Sequence, residues 1–480
     1  MSHCRVLVAI FTVATAAILL LSFSATNLVQ AARFIADERL ANADRFERNG
    51  WIYVHLEGSP SQVGFQHGYL LAPEISDAFA AIKLRDTHET KRGWDFFRDT
   101  ARQVMWPGID SEYQVELAGI ADGLKARGVP MDLWDVVALN AMEEVAEYYV
   151  PWLEHQQKGA LQVSKAPGNC SGFVATGSWT KDHQVVIAHN NWTGYLDGER
   201  WRVIFDIAPI SGYRILMDGF PGVITSDDDF GVNSSGLMVT ETTISGFFGF
   251  DPKGKPEFMR ARKAMQYSAS IDEFVRIMND GNNGGYANDW LLGDRKTGEI
   301  ARFEQGLKHT RVWRTKDGYF EGSNFASDPR VLRDETNFDS DDLSLSANAR
   351  RVRWRHLMHD NRGKIDVAMG QRFLADHYDS FEKRGDAPSE RSLCGHIDLS
   401  PRGFKGWLEP YYPGGTAQNK VMDSDMAGNM MFTAFLGHAC GRDFKAQPFL
   451  AEHGEYGWQA PVLRDLDAGG WTTFRTGDKK

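Results

Sequence analysis

The chain has 480 residues, of which 42% are hydrophobic and 24% charged, as in ordinary globular proteins. Its net charge of −11 argues against a nucleic-acid-binding surface, which needs clustered lysine and arginine, so no nucleic-acid partner is expected. The length permits about two or three domains, although large mixed α/β enzymes can form one.

Residues 1–31 predict an export signal that is removed from the mature protein. Arg5 supplies a positive start, residues 6–23 form an uncharged apolar run, and Val29-Gln30-Ala31 has the small-x-small form of a signal-peptidase site. The alternative is an uncleaved anchor, because a run of this length can cross a bilayer. We expect an exported protein, periplasmic or secreted, with no stable membrane span once the signal is removed.

The segment between the signal and the first cysteine of the body predicts a strand followed by helices. Residues 50–56 suit a short strand, and residues 112–127 suit an amphipathic helix capped by Asp110-Ser111. A second helix is predicted from Pro130 to about Val145. Residues 156–168 are polar and predict an exposed loop.

A β-hairpin is predicted to begin at Cys170. Residues 171–176 and 184–188 are apolar and flank a polar turn, and the second strand ends in His189-Asn190-Asn191-Trp192. A thiol at the head of one strand, facing imidazole and amide groups, is a plausible nucleophile; the alternative is a small buried core cysteine. A turn centred on Lys181-Asp182 places Cys170 opposite Thr193, several residues from His189 unless a bulge intervenes.

The remainder of the chain mixes short strands with separate helices. Strands are predicted at 201–207, 213–217, 236–243, 290–293 and 300–303, and helices at 256–267, 271–278, 347–359 and 367–377. Hairpins with segregated helices predict a layered α+β fold.

The cysteines and histidines limit the other kinds of site. Cys4 is removed with the signal, so three thiols remain. The simplest prediction is a disulfide between Cys394 and Cys440, with Cys170 free to react. The alternative is that all three are reduced and two are only buried. No His-Glu-x-x-His or paired Cys-x-x-Cys motif is present, so neither a metal nor a cofactor is expected.

Several segments resemble the phospholipase B-like proteins. They lie at 219–222, 227–237 and 281–294; in addition, residues 57–68 resemble the start of the penicillin acyltransferase branch, and 393–396 and 414–423 also fit it. These families are N-terminal-nucleophile hydrolases. The resemblance spans roughly residues 50–445 and implies a four-layer αββα sandwich, in which two antiparallel sheets pack together with helices outside.

The resemblance also implies that the precursor cleaves itself between Asn169 and Cys170. The new α-amine, with a reference pKa of about 7.7–8.0, then serves as the base for its own thiol. The chain would divide into a signal peptide (1–31), a helical N-terminal chain (32–169) and a catalytic chain (170–480), and the two mature chains would remain associated.

Further site residues follow from the same resemblance. Asn288 is expected to donate to the oxyanion, with Thr243 as a second contact; the alternatives are a turn residue and a strand hydroxyl. His189 and Trp192 stand where bile-salt hydrolases carry Arg and Asp, which shifts the substrate class. For His189 a structural role, and for Trp192 a pocket wall, are the alternatives.

A supporting arginine is the last implied part of the site. Arg350 or Arg351 matches it loosely, and a solvated helix face is the alternative. The chain is therefore predicted to be an exported autoproteolytic cysteine hydrolase that cleaves an acyl ester or linear amide through a thioester on Cys170. Its substrate would be a small acylated lipid or N-acyl compound. The alternatives are an acyltransferase that uses an amine acceptor, and a catalytically silent lipid- or peptide-binding relative.

Overall fold

The computed structural model describes residues 37–158, 170–227, 230–404 and 409–479. The predicted signal peptide and Asn169 lie outside the described residues. Two units separate along the chain: residues 1–41, of which the described part contains the 3-10 turn Glu38–Leu40, and residues 42–480, which contain every element below. No helix of the described residues is both long and apolar enough to span a bilayer.

The described strands form two sheets. The nine-stranded sheet has, in spatial order, β1 (Asp44–Arg48), β2 (Trp51–Gly58), β5 (Val203–Pro209), β6 (Ile215–Gly219), β7 (Gly231–Asn233), β8 (Leu237–Thr243), β9 (Asn288–Asp294), β10 (Glu299–Gln305) and β11 (Thr310–Thr315). The six-stranded sheet has β12 (Gly318–Gly322), β3 (Ser171–Thr176), β4 (Val186–Gly194), β13 (Gly414–Asp423), β14 (Met431–Leu436) and β15 (Thr472–Arg475).

The described helices lie between these strands. They are α1 (Pro60–Leu70), α2 (Ala72–Thr90), α3 (Trp94–Thr100), α4 (Ser111–Ala126), α5 (Leu133–Asn140), α6 (Val150–Lys158), α7 (Tyr195–Gly198), α8 (Glu257–Tyr267), α9 (Ile271–Asn279), α10 (Pro329–Glu335), α11 (Ser346–Asp360), α12 (Val367–Leu374), α13 (Ser424–Gly428) and α14 (Ala446–Glu452). Short π-helical turns occur at Ala101–Met105 and Glu144–Tyr149.

Separate apolar cores hold these layers together. Alternate residues of β3 and β4, such as Val174 and Ile187, pack between the sheets against Met238 and Leu291. The opposite faces of β3 and β4 pack on α11 and α12. The outer face of the nine-stranded sheet packs on α1 to α5, α8 and α9. The predicted α+β sandwich is confirmed, except that β2 and β5 pair in parallel, so the larger sheet is not wholly antiparallel.

Two glycine-containing helices approach each other closely outside the larger sheet. In α1, a Cβ at Gly64 would lie 2.0 Å from the Glu116 carbonyl oxygen of α4, and Gly68 meets Ile120 in the same way. Only glycine permits this backbone contact, because any side chain would force the helices apart. Helix α1 was not predicted, since its glycines and proline lower helix propensity, and packing overrides that preference.

The predicted helix from Pro130 is shorter than expected at both ends. Asp132 caps it by accepting hydrogen bonds from the amides of Trp134 and Asp135, so helix α5 begins at Leu133. The helix ends at Asn140, and the π-helical turn Glu144–Tyr149 follows. The hairpin prediction is confirmed for the strands, but β4 begins two residues later and continues to Gly194.

Candidate active site

Cys170 lies immediately before β3, at the start of the predicted hairpin. Its φ is 80°, in the left-handed region that non-glycine residues seldom adopt, and its side chain is 1% exposed. The thiol lies 3.8 Å from the side-chain oxygen of Asn191, to which it donates. A strained backbone at a buried thiol points to a functional position.

The hairpin register differs from the predicted one by two residues. Ser171 pairs with Asn190 and Gly172 with His189, so continuation of the ladder sets Cys170 opposite Asn191 and not Thr193. The reason is that the 3-10 turn Gly177–Trp179 directly follows β3 and moves the centre of the turn. A shift of two residues keeps every side chain on its face of the sheet.

This register brings His189 close to the thiol. The Cys170 sulfur, a ring nitrogen of His189 and a carboxylate oxygen of Glu241 all lie within 4.8 Å of one another. The expected separation of His189 from Cys170 is therefore wrong. Glu241 comes from β8 and is fully buried, and the Tyr286 hydroxyl donates to it at 3.3 Å. The cluster can move a proton between sulfur, imidazole and carboxylate after small side-chain rotations.

Arg350 of α11 holds the backbone of Cys170. Its guanidinium donates to the Cys170 carbonyl oxygen at 2.5 Å, to the Ser346 hydroxyl at 2.9 Å and to the Asn324 side-chain oxygen at 2.9 Å. The same group stacks over the Trp192 ring at 4.2 Å. Burial lowers the pKa of Arg350 to about 9, partly opposed by the negative charge that Cys170 can carry. A buried cation here favours the thiolate in return.

The choice between the two candidate arginines is decided by burial. Arg350 is 0% exposed, so the alternative of a solvated helix face is wrong for it. Arg351 points elsewhere, with its guanidinium 4.1 Å over the Phe325 ring. Arg350 is thus the arginine that contacts the backbone of Cys170.

Asn288 and Thr243 lie opposite each other at one end of the larger sheet. They form a cross-strand pair of β8 and β9, and both are fully buried. The Asn288 amide and the Thr243 hydroxyl have no hydrogen-bond partner among the described residues. Because Glu241 is two residues from Thr243 on the same strand, all three side chains share one face. They share this face with Leu237 and Val239, which pack in the core on the helix side of the larger sheet.

Asn324 connects this strand end to the arginine. Its side-chain oxygen accepts from Arg350, and its side-chain nitrogen donates to the Thr243 carbonyl oxygen at 2.8 Å. The path from the Cys170 carbonyl through Arg350 and Asn324 to Thr243 is thus a continuous set of hydrogen bonds. It connects the backbone of Cys170 to the strand position that pairs with Asn288.

Trp192 serves as a wall of this region. It is 1% exposed, and a Cβ at Gly395 would lie 2.3 Å from its ring, so Gly395 is required for the contact. The Arg350 guanidinium also lies over this ring. Whether Trp192 is catalytic or only a pocket wall stays a prediction.

Cys394 and Cys440 are neighbours, and they are not bonded to each other in the structure. Their sulfur atoms share a cluster with nitrogens of His377 and His396, in which all four atoms lie within 4.8 Å of one another. The predicted proximity of the two cysteines agrees with this arrangement, while their disulfide stays a prediction.

Glu241, Asn191 and Asn324 are site residues that sequence reasoning missed. Glu241 carried a recognisable signal, because it is a charged residue in the otherwise uncharged, fully buried strand β8. Asn191 was named only as part of the hairpin end. Asn324 lies in a loop with φ of 70°, and nothing in the surrounding sequence indicates its partners.

The Cys170 side chain is buried. A cavity of about 340 Å³ exists elsewhere, lined by Glu112, Lys263, Tyr267, Arg276, Ile277 and Asp280, and includes none of the predicted site residues. We place the candidate site at Cys170 and not at that cavity, because the reactive groups lie around the thiol.

Comparison with known proteins agrees with the resemblance. A phospholipase B family model matches residues 103–313, which include Cys170, β8 and β9. Phospholipase B-like 1 of Homo sapiens is 26% identical over 48% of this chain and 47% of its own length. Putative phospholipase B-like 3 of Caenorhabditis elegans is 30% identical over 40% of this chain and 35% of its own. An uncharacterized protein of Archaeoglobus fulgidus is 24% identical over 68% of this chain and 58% of its own. The matches span about half the length of these curated relatives.

Proposed function

We propose that this chain is a phospholipase B-like acyl hydrolase whose nucleophile is the Cys170 thiol. The substrate class proposed is a small acylated lipid, cleaved at its ester bond. The relatives' names support an ester-hydrolysing enzyme, and the convergence of groups on Cys170 supports the nucleophile.

The observation that carries the proposal is the arrangement of Arg350 at Cys170. The buried guanidinium donates a hydrogen bond to the carbonyl oxygen of Cys170, whose backbone is in the left-handed region. A merely structural cysteine needs neither a strained backbone nor a buried cation, because a thiol packs well as a small apolar group. Both features instead suit a thiol that must become a thiolate at a fixed place.

Maturation is proposed to occur by self-cleavage before Cys170. The thiol attacks the Asn169 carbonyl carbon, the thiol proton passes to the peptide nitrogen as its bond to that carbon breaks, and a thioester replaces the amide. Water then cleaves this thioester, which leaves a carboxylate on Asn169 and an α-amine on Cys170. The new amine is a base of suitable strength near neutral pH, and its separation from Asn169 opens a path to the buried thiol.

The two mature chains are proposed to remain associated. Strands β1 and β2 precede the cleavage point, while β5 follows it, and β2 pairs with β5 along seven residues from Ile52 to Gly58. Helices α1 to α5 pack on the same sheet. Cleavage would therefore break one peptide bond but leave the strand pairing and the core packing between the two chains intact.

Catalysis is proposed to proceed through a thioester. The Cys170 sulfur attacks the carbonyl carbon of the ester, and the oxyanion that forms is stabilised by the Asn288 amide and the Thr243 hydroxyl. Collapse expels the alkoxide, which takes a proton from the α-ammonium group that formed when the α-amine accepted the thiol proton. The amine then activates water, which cleaves the thioester, releases the fatty acid and restores the thiol. Each oxyanion donor is worth about 10²–10³ in rate in favourable sites.

Intact-mass analysis tests the maturation step. Wild-type protein should consist of two polypeptides, one beginning at Cys170 and the other at Ala32 if residues 1–31 are removed on export. Cys170→Ala should remain one chain, whereas the matched control Cys440→Ser should be processed normally. A single uncleaved chain with full activity contradicts the proposal.

Product analysis tests the reaction class. The processed protein is incubated with a phosphatidylcholine and with an N-acyl amino acid, each with and without an amine acceptor. Free fatty acid from the phospholipid supports ester hydrolysis, while preferred cleavage of the N-acyl compound would favour the amide. Dominant transfer to the amine would favour an acyltransferase. Unchanged turnover after alkylation of Cys170 would remove the thiol from the mechanism.

A further inference from the structure

A second cluster of thiol and imidazole groups lies in the six-stranded half of the molecule. His377 follows α12, Cys394 and His396 precede the 3-10 turn Ile397–Leu399, and Cys440 follows β14. One ligand atom from each of the four residues lies within 4.8 Å of the others. Neither the proposed hydrolysis nor the proposed maturation uses any of these side chains.

Two distances within the cluster match the edges of a metal tetrahedron, and the others are at most 4.8 Å. The Nε2 atoms of His377 and His396 are 3.2 Å apart, and the Cys440 sulfur is 3.6 Å from the His396 Nε2. In tetrahedral zinc sites the bonds are about 2.3 Å to sulfur and 2.0–2.1 Å to nitrogen. Those bonds imply edges of about 3.3 Å between two nitrogens and about 3.6 Å between nitrogen and sulfur.

The neighbouring groups orient the imidazoles for this role. The Nδ1 atom of His377 faces the Asp386 carboxylate at 3.3 Å, the kind of outer contact that fixes the ring of a metal-bound histidine. His396 stacks on the ring of His438 with centroids 4.0 Å apart, and the Tyr195 hydroxyl lies 2.9 Å from the His438 Nε2. Both Nε2 atoms of the cluster therefore turn inward while their rings are held from outside.

We propose that His377, Cys394, His396 and Cys440 bind one zinc ion. A disulfide would involve only the two sulfurs and would not explain why the two histidine nitrogens face them. A divalent ion with two thiolates and two imidazoles is satisfied at all four corners, and such closed sites are structural. Binding releases the thiol protons, which leave to solvent.

The ion would stabilise a wall of the candidate active site. Gly395, between two of the ligands, lies against the Trp192 ring, and that ring carries the Arg350 guanidinium. Zinc would join three separate segments of chain behind this wall. Zinc binding here does not depend on the proposed hydrolase activity, because none of the four ligands takes part in it.

Metal analysis of the full-length protein, purified without chelator, tests the proposal. One equivalent of zinc per chain is expected in the wild type, with loss of most of it in Cys440→Ser and His377→Gln. Cys170→Ala is the matched control and should retain the metal, because Cys170, His189 and Glu241 form a separate group of ligand-type residues. Loss of zinc in Cys170→Ala, with retention in Cys440→Ser, would place the metal at the wrong cluster and overturn the inference.

A spectroscopic measurement on the wild type keeps the test independent of variant folding. After exchange of the bound metal for Co²⁺, thiolate-to-cobalt charge-transfer bands and the intense d–d bands of a tetrahedral ion are expected. Peptide mapping without reductant should find Cys394 and Cys440 alkylated after the metal is removed in denaturant. A Cys394–Cys440 disulfide in the purified protein, or the absence of both zinc and these bands, would overturn the inference. Neither outcome would bear on Cys170 as nucleophile.

Discussion

The two thiol-bearing regions of this protein place the same functional group in opposite surroundings. Cys170 sits at a strained backbone position, beside an amide and a buried guanidinium that stacks on an indole. Cys394 and Cys440 instead lie within 4.8 Å of two imidazole nitrogens, one from His377 and one from His396. A thiol beside a cation is suited to nucleophilic attack, whereas two thiols grouped with two imidazoles are suited to binding a metal ion.

The sharpest way to break this comparison is to remove one thiol from each region. Cys170→Ala should lower ester hydrolysis by at least about 10³-fold, because no other described group there can form the thioester. Cys440→Ser should retain turnover within a few-fold but lower the melting temperature by several degrees. Hydrolysis rates and thermal unfolding of both variants check this. Loss of hydrolysis in Cys440→Ser but not in Cys170→Ala would contradict the different roles given to the two regions.

Replacement of Arg350 tests whether the cation defines the nucleophilic region. Arg350→Gln should lower kcat by about 10²-fold or more, since it removes both the grip on the Cys170 carbonyl and the charge that favours the thiolate. Arg350→Lys should recover part of the rate, because charge returns without the forked geometry. The rate of thiol alkylation against pH should shift to higher pH in Arg350→Gln. An unchanged alkylation profile would show that the arginine acts only by packing.

The oxyanion role of the strand pair predicts a loss in turnover without an equal loss in binding. Asn288→Ala should cut kcat by about 10²-fold, with a smaller change in KM, and Thr243→Val should have a lesser effect. Thr242→Val is the matched control, because Thr242 lies on the opposite face of the same strand. Normal processing and turnover in Asn288→Ala would mean that this residue only shapes the turn.

Trp192 connects the two regions and should show a smaller effect. Trp192→Phe keeps an aromatic face but reduces the surface beneath the Arg350 guanidinium, a contact worth about 0.5–2 kcal/mol. We expect a decrease of less than about 10-fold in kcat and a modest decrease in melting temperature. Zinc content should be unchanged in this variant, which metal analysis can verify. A decrease as large as that of Arg350→Gln would give the indole itself a catalytic role.

A buried carboxylate that belongs to neither region provides the smallest expected effect. Burial, the largest influence, raises the pKa of Asp86 to about 7, although Arg85 favours its ionised form. Since the folded pKa exceeds the unfolded value of 3.8, the associated stability is present at acidic pH and is lost as pH rises towards 7. Asp86→Asn should therefore gain a few degrees of melting temperature relative to wild type between pH 5 and about 8. A difference that does not vary with pH would contradict this assignment.

Prediction from sequence succeeded where a single segment carried the signal. The strands around Cys170, helix α4 and the strands β8 to β10 all show local periodicity, and each was found close to its predicted bounds. The hairpin register was missed because a 3-10 turn of three residues is not encoded in hydrophobic alternation. That error concealed the closeness of His189 to the thiol, which depends on register alone.

The metal-ligand cluster was missed for a different reason. His377, Cys394, His396 and Cys440 come from three segments and show none of the close paired spacings by which zinc sites are recognised. Arithmetic on the cysteines brought Cys394 and Cys440 together, but it could not supply the two histidines. Only the folding of these three segments onto one another brings the four atoms together.

The amino-acid sequence by itself determined the layered α+β architecture, the hairpin that begins at Cys170, and the resemblance to the phospholipase B-like proteins. These depend on alternation, turn residues and ordered motifs, which are local properties of the chain. Tertiary structure alone decided that Arg350 and not Arg351 contacts Cys170, that Glu241 joins His189 there, and which groups surround the other two thiols. The physical reason is that these contacts join strands, helices and loops that are distant in sequence, and their geometry follows from how the layers pack.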